Sequence, residues 1–258
     1  MLTPGAWPIL DHDDDPRDMI SAHHVAAGGR PALPSVVVVA FLGSKVAAHA
    51  AAQQAPAVHT VDIVTQRHTV YRLERGGLAV GLVEVPVGAP AAVIVADDLF
   101  LRGVQSVVAV GSCGALRPLG EGEFVVPVMA LRDEGTSHHY LPPAQWVDTD
   151  PGVSAACRSA VEGRGHAAIS ARTWTTDALF RETPAMVERR RSQGCAVVEM
   201  ECASLAACAQ FRGTRFGQIL FSADSLVEQR YDPRDWGRDV HEVALHMAVD
   251  AAFLVAGE

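Results

Sequence analysis

Ser35-Val36-Val37-Val38-Val39-Ala40 decides the fold. The four valines make this a β-branched run that is apolar at successive positions, so a strand built from it has no face to give to water. A strand buried on both faces needs cover on both. In one chain that cover is a layer of helices on each side of a largely parallel sheet. A similar run at 104–110 enters Gly111, and further strands are expected near 58–64, 70–75, 78–85, 124–131, 167–173, 196–200 and 216–221. Between them the pattern predicts helices over 89–102, after Pro151, across 184–193, over 202–211 and from about 235 to 255. Gly76-Gly77 separates two adjacent strand runs and supplies the positive φ of a tight hairpin, so antiparallel pairing enters the sheet. The expected class is therefore α/β with a mixed central sheet. Residues 1–34 mix Pro, Gly, Asp and His without a period and read as an N-terminal arm. Residues 35–258 read as a single domain.

Composition narrows the function. Hydrophobic residues at 49% against 20% charged can bury a sizeable core, which excludes global disorder. A net charge of -9 argues against broad contact with nucleic acid, which needs a basic face, and favours a small ligand. Five cysteines without metal or redox spacing read as reduced thiols of a cytoplasmic protein. An N-terminus carrying Asp11, Asp13, Asp14 and Asp15 is not expected to direct secretion, and no apolar stretch is long enough for a membrane span. His23-His24 and His138-His139 are adjacent pairs, which rarely point at one ion, so no metal is expected.

In α/β folds ligands gather at the carboxyl ends of the strands. Three clusters stand there. Val110-Gly111-Ser112-Cys113-Gly114-Ala115 offers two glycines that let a ligand approach the backbone and a hydroxyl for an anion or a sugar oxygen, although a tight turn uses the same residues. It lacks the lysine of a P-loop and the third glycine of a dinucleotide fingerprint. Glu199-Met200-Glu201 ends an apolar strand with two carboxylates, a costly arrangement that a ribose diol compensates because one carboxylate accepts from two adjacent hydroxyls. Met200 can pack on the sugar face, while Glu201 equally suits the start of a helix. Phe221-Ser222-Ala223-Asp224-Ser225 places a carboxyl group where it can protonate a leaving base, or simply cap a turn.

Over residues from about 35 to 252 these clusters resemble the nucleoside phosphorylase superfamily, which includes purine nucleoside phosphorylases, uridine phosphorylases and methylthioadenosine/S-adenosylhomocysteine nucleosidases. The resemblance implies a three-layer α/β/α sandwich and a homo-oligomer, a dimer or a hexamer built from dimers. It also implies inorganic phosphate as a co-substrate without any further cofactor. Asp224 becomes the catalytic acid, and Glu201, Met200 and His24, the last capping a neighbour's pocket, become the ribose ligands. Cys113, Gly114 and Glu199 lie by the base, with Leu179 and Phe180 following the similar segment Arg172-Thr173-Trp174-Thr175-Thr176-Asp177. Arg234 or Arg238 would fold over Asp224.

The departures concern phosphate. The Gly-Asp-Pro-x-Arg of phosphorylases is replaced by Gly43-Ser44-Lys45, and the arginine before the glycine cluster by Ala109. Lys45 is the only lysine in the chain, which makes it the replacement phosphate ligand beside Gly43 and Ser112; Arg67 would reach in from a neighbouring subunit. The Gln-x-Arg that reads uracil is replaced by Arg181-Glu182-Thr183-Pro184, and with Asp224 this points to a purine. Phosphorolysis of a purine nucleoside is the leading expectation. Hydrolysis by water, or nucleoside binding without turnover, are the alternatives.

Overall fold

The computed structural model describes residues 7–21, 33–227 and 231–258. The described strands are β1 (Val36–Ala40), β2 (Ala57–Ile63), β3 (Gln66–Arg75), β4 (Leu78–Glu84), β5 (Ser106–Ala115), β6 (Phe124–Asp133), β7 (Trp146–Asp148), β8 (Ala168–Thr176), β9 (Cys195–Glu199) and β10 (Arg215–Ser225). The described α-helices are α1 (Lys45–Ala52), α2 (Ala89–Leu101), α3 (Pro151–Gly163), α4 (Pro184–Ser192), α5 (Cys202–Phe211) and α6 (His241–Ala256). None is long and apolar enough to cross a membrane.

β1 behaves as its composition demands. Val36, Val38 and Ala40 pack into a core shared with α1, α3 and α6. Val37 and Val39 point the other way, into a core with Ala92, Val95 and Leu99 of α2 and Ala203, Ala206 and Ala207 of α5. The period of two in a strand puts alternate side chains on opposite faces, so a strand apolar throughout serves two cores at once. The result is the expected α/β/α layering over a mixed sheet.

The sheet runs β10-β6-β8-β9-β5-β1-β4-β3-β2, with β7 on β6, and β5 also pairs β10. That last pairing closes β5, β10, β6, β8 and β9 into a ring. β1, β4 and β10 run parallel to their partners along β1 and β5, whereas β9 meets β5 antiparallel. The hairpin at Gly76 (φ 58°) and Gly77 (φ 82°) joins β3 to β4 antiparallel.

Two expectations are corrected. The glycine cluster is not a loop: Gly111–Ala115 continues β5, because β10 pairs it all the way to Ala115. The closing helix starts at His241 rather than near 235, because Arg234, Trp236 and Gly237 adopt positive φ and a right-handed helix cannot pass through them. The chain also forms α1 and the short β7, which the sequence pattern did not mark. In the arm, Asp18 lies 3.8 Å from Arg212, so its described part rests on the body of its own chain.

Candidate active site

β5 changes partner in mid-strand. Ser106–Val110 pairs with β1, whose last contact is Phe41 N–H donating to the Val110 carbonyl, and Gly114–Ala115 pairs with β9. Between them Gly111, Ser112 and Cys113 have no strand on that edge, while β10 still holds the other. Within this otherwise buried strand Ser112 alone is exposed. The fork between β1 and β9 is thus the opening, and every cluster singled out from the sequence borders it.

The β9–α5 turn supplies the carboxylates. Glu199 is buried, and its Oε1 accepts from Thr175 Oγ1 (2.6 Å) and Thr173 Oγ1 (3.2 Å). Its Oε2 accepts from the N–H groups of Glu201 (2.8 Å) and Cys202 (2.6 Å). Expected beside the base, this carboxylate spends both oxygens on protein donors and orders the turn instead. Burial raises its pKa against those four bonds. Glu201, equally buried, accepts from backbone groups, the N–H of Gly88 and that of Met200. Burial and the charge of Glu199 hold its pKa well above the carboxylate range. Met200, between the two, is half-buried.

Asp224 ends β10 next to a bulge at Ser222/Asp224, where the strand shifts register against β5. A Cβ on Gly114 would meet Asp224 Oδ1 at 3.1 Å, Val198 Cγ1 at 3.0 Å and Leu226 Cδ1 at 2.9 Å, so only glycine lets the carboxyl lie on the β5 backbone. Burial raises the Asp224 pKa, and Arg234 opposes it. Arg234 donates to Ser222 Oγ (2.9 Å) and the Leu119 carbonyl (2.6 Å), and its charge acts on Asp224. Arg238 is exposed and lies 3.8 Å from Asp235. Cys113 is buried, its thiol donating to the Phe221 carbonyl.

The side expected to meet phosphate is built differently. Gly43 (φ 56°), Ser44 and Lys45 leave the end of β1 exposed, with Lys45 opening α1. Arg67 does not join them in this chain: it lies on the β2–β3 hairpin, ion-paired to Asp62 at 2.8 Å. Leu179 and Phe180 sit in an exposed turn after β8. His24 falls outside the described residues.

Sequence reasoning passed over Gly88, Thr173 and Thr175, which position the carboxylates. Glu182, in the segment that stands where Gln-x-Arg would read uracil, has its pKa pushed up to about 7, first by burial and then by the charge of Asp224. Gly88 carries one usable signal, a glycine (φ 102°) directly before an Ala-Pro helix start. The threonines stand in the segment that resembles the one leading to the base, but only the pairing of β8 with β9 brings their hydroxyls to Glu199.

The buried Glu201 carboxylate, the Asp224 carboxyl on the glycine strand and the exposed Lys45 beyond the end of β1 make this region the candidate active site. The sequence profile of the Phosphorylase superfamily matches residues 35–256, and the chain belongs to that superfamily. It is 29% identical over 142 residues to the guanosine phosphorylase of Halorubrum lacusprofundi, a match covering 55% of this chain and 59% of that protein. Its fold is similar to those of the purine nucleoside phosphorylase of Toxoplasma gondii, solved with immucillin-H, and the AMP nucleosidase of Bacteroides thetaiotaomicron. The TM-scores are 0.73 and 0.70, each at 21% identity, covering 85% and 86% of this chain and 90% and 89% of the other.

Proposed function

We propose that the chain is a purine nucleoside phosphorylase. Phosphate, held by Gly43, Lys45 and Ser112, attacks the anomeric carbon; the new C–O bond forms as the C–N bond to the base breaks. The bonding pair leaves on the base, and Asp224 protonates a purine nitrogen to receive it. Glu201, as carboxylate, accepts from the ribose hydroxyls, which strengthens as the sugar becomes cation-like. Met200 covers the sugar face. Cys113, Gly114, Leu179 and Phe180 border the base, and His24 and Arg67 are contributed across a subunit contact of a homo-oligomer.

The carrying observation is the fork at Gly111–Cys113, an open stretch of β5 followed by Gly114, which pairs with Asp224 on one side and with β9, the strand that leads into Glu201, on the other. A purine suits Asp224, a carboxyl group at the end of β10 whose pKa is raised by burial, and the guanosine phosphorylase relative supports the same choice. Chromatography of inosine and guanosine reactions tests this reading. Free base and ribose 1-phosphate are expected only with phosphate present, and equal release of base in phosphate-free buffer would overturn it.

Hydrolysis is the second reading, because Ala109 is buried in β5 where phosphorylases carry an arginine and Arg67 is engaged by Asp62. Against it, Phe41–Lys45 supplies no carboxylate to activate water.

A further inference from the structure

A second concave site lies toward the opposite end of the sheet from the fork. Arg75 pairs with Leu78, where β4 begins, whereas the fork stands at the carboxyl ends of β1 and β5. Here α1, β3, the end of α3 and α6 enclose a cavity of about 520 Å³, bordered by His49, Gln54, Arg75, Arg164, His246 and Phe253. Its guanidinium groups are fixed in place. Asp250 of α6 accepts from Arg75 Nη1 at 2.7 Å through one oxygen and from Arg164 Nε at 2.7 Å through the other. The Arg75 guanidinium carbon stands 4.4 Å from the centre of the Phe253 ring. One carboxylate thus orders two guanidinium groups, leaves a positive charge unmatched between them and takes only one N–H of Arg75 and two of Arg164. The rings of His49 and His246 meet edge to face, 5.0 Å between centres, on the α1 and α6 sides. The other acids nearby are exposed: Glu74, which Arg72 engages at 2.8 Å, and Glu242 on α6, whose charge acts on His49. In a chain of net charge -9 a preordered cationic cluster in a cavity favours an anion.

Gln54 is an independent sign that this cavity is used. It follows α1 with φ 51°, the left-handed conformation that glycine adopts freely and a side chain at a cost. The Ala55 N–H donates to the Ala50 carbonyl across it, the closure that a glycine usually makes at a helix end. The chain keeps a carboxamide there instead, on a residue that lines the cavity. We propose that the cavity binds a small organic phosphate monoester. The phosphate takes the free N–H groups of Arg75 and Arg164, whose planar forks match its oxygens, together with the two imidazoles. Gln54 bonds a polar group of the organic part. The volume is that of a small-molecule site and leaves room beyond a phosphate group. The assignment is independent of the reaction at the fork.

Calorimetry on the full chain tests this with inorganic phosphate, ribose 5-phosphate and guanosine 5′-monophosphate as probes. At least one ester should bind more tightly than phosphate, and which of the two does so tells a sugar phosphate from a nucleotide. Arg164→Gln and His246→Gln should each weaken that ester about tenfold, as expected for lost charged hydrogen bonds, while nucleoside cleavage at the fork is unchanged. Lys45→Ala, at the other end of α1, should leave ester binding as it is. Gln54→Gly separates ligand binding from structure. It should raise the thermal midpoint by relieving the backbone, yet weaken the ester and leave phosphate alone; a higher midpoint with unchanged ester binding would make Gln54 structural and remove its role. Ester binding that survives Arg164→Gln and His246→Gln, or that Lys45→Ala abolishes, would put the ligand at the fork and overturn the proposal. Tighter binding of phosphate than of both esters, or no binding of any probe, would overturn it as well.

Discussion

Glu199 and Glu201 stand two residues apart, both buried and both with raised pKa, yet the fold treats them oppositely. Four donors saturate Glu199, two from β8 threonine hydroxyls and two from the backbone of the α5 start. Glu201 accepts from backbone groups alone among the described residues, the N–H of Gly88 and that of Met200, with no side-chain hydroxyl to match those on Glu199. A buried charge left with so few partners costs stability, and proteins keep such an arrangement where a ligand completes it. One carboxylate therefore builds the turn, and the other is held by it for the sugar.

The contrast makes opposite predictions for the two positions. Glu199→Ala leaves two hydroxyls and two amides unpaired in the core, so unfolding in urea should show a loss of about 3–5 kcal/mol. A loss near zero would mean that the turn does not depend on this group. Glu201→Gln retains an oxygen for the Gly88 N–H but gives up the charge. Its kcat/KM should drop about a hundredfold, as expected for charged hydrogen bonds made in the transition state, while its thermal midpoint stays or rises. The sign follows from linkage: a carboxylate whose folded pKa is raised binds more protons folded than unfolded, so it costs stability increasingly as pH climbs from its unfolded value. The stability advantage of Glu201→Gln over wild type should accordingly widen between pH 5 and pH 8; melts that keep a constant gap would show that Glu201 is not perturbed in the fold.

Thr175 sharpens the comparison at smaller scale. Its hydroxyl both donates to Glu199 and accepts from the Ala203 N–H, tying β8 to the first turn of α5. Thr175→Val should cost about 1–3 kcal/mol by leaving that amide without its partner. Ribose affinity should fall only as far as the turn loosens, and a larger loss of nucleoside binding than of stability would place Thr175 in the site itself.

How legible these roles were depends on range. The valines of β1 announced a doubly covered strand because alternation is a local property, and the Glu-Met-Glu ending of β9 was visible for the same reason. The division of labour between Glu199 and Glu201 was not, since it is decided by Thr173 and Thr175 on a strand more than twenty residues earlier. Gly111–Ala115 read as a loop because two glycines usually break a strand. It is a strand because β10, distant in sequence, pairs it throughout. Arg234 became the arginine near Asp224 only once the positive φ values at Arg234–Gly237 delayed the last helix.

Lys45 supplies the smallest expected effect and the sharpest contrast with Glu201. It is a solvent-exposed cation at the end of β1, with Gly43 free of side-chain crowding beside it and the exposed Ser112 hydroxyl on the neighbouring strand. An exposed ion pair is screened and contributes about 1 kcal/mol at most. Lys45→Ala should therefore raise the KM for phosphate only about fivefold, leave nucleoside binding measured without phosphate unaltered, and weaken further with added salt less than wild type does. Lys45→Arg tests geometry rather than charge, because the guanidinium fork can grip phosphate through two oxygens and should lower the KM for phosphate. Phosphate kinetics indifferent to both changes would remove Lys45 from the anion site and return weight to water as the nucleophile.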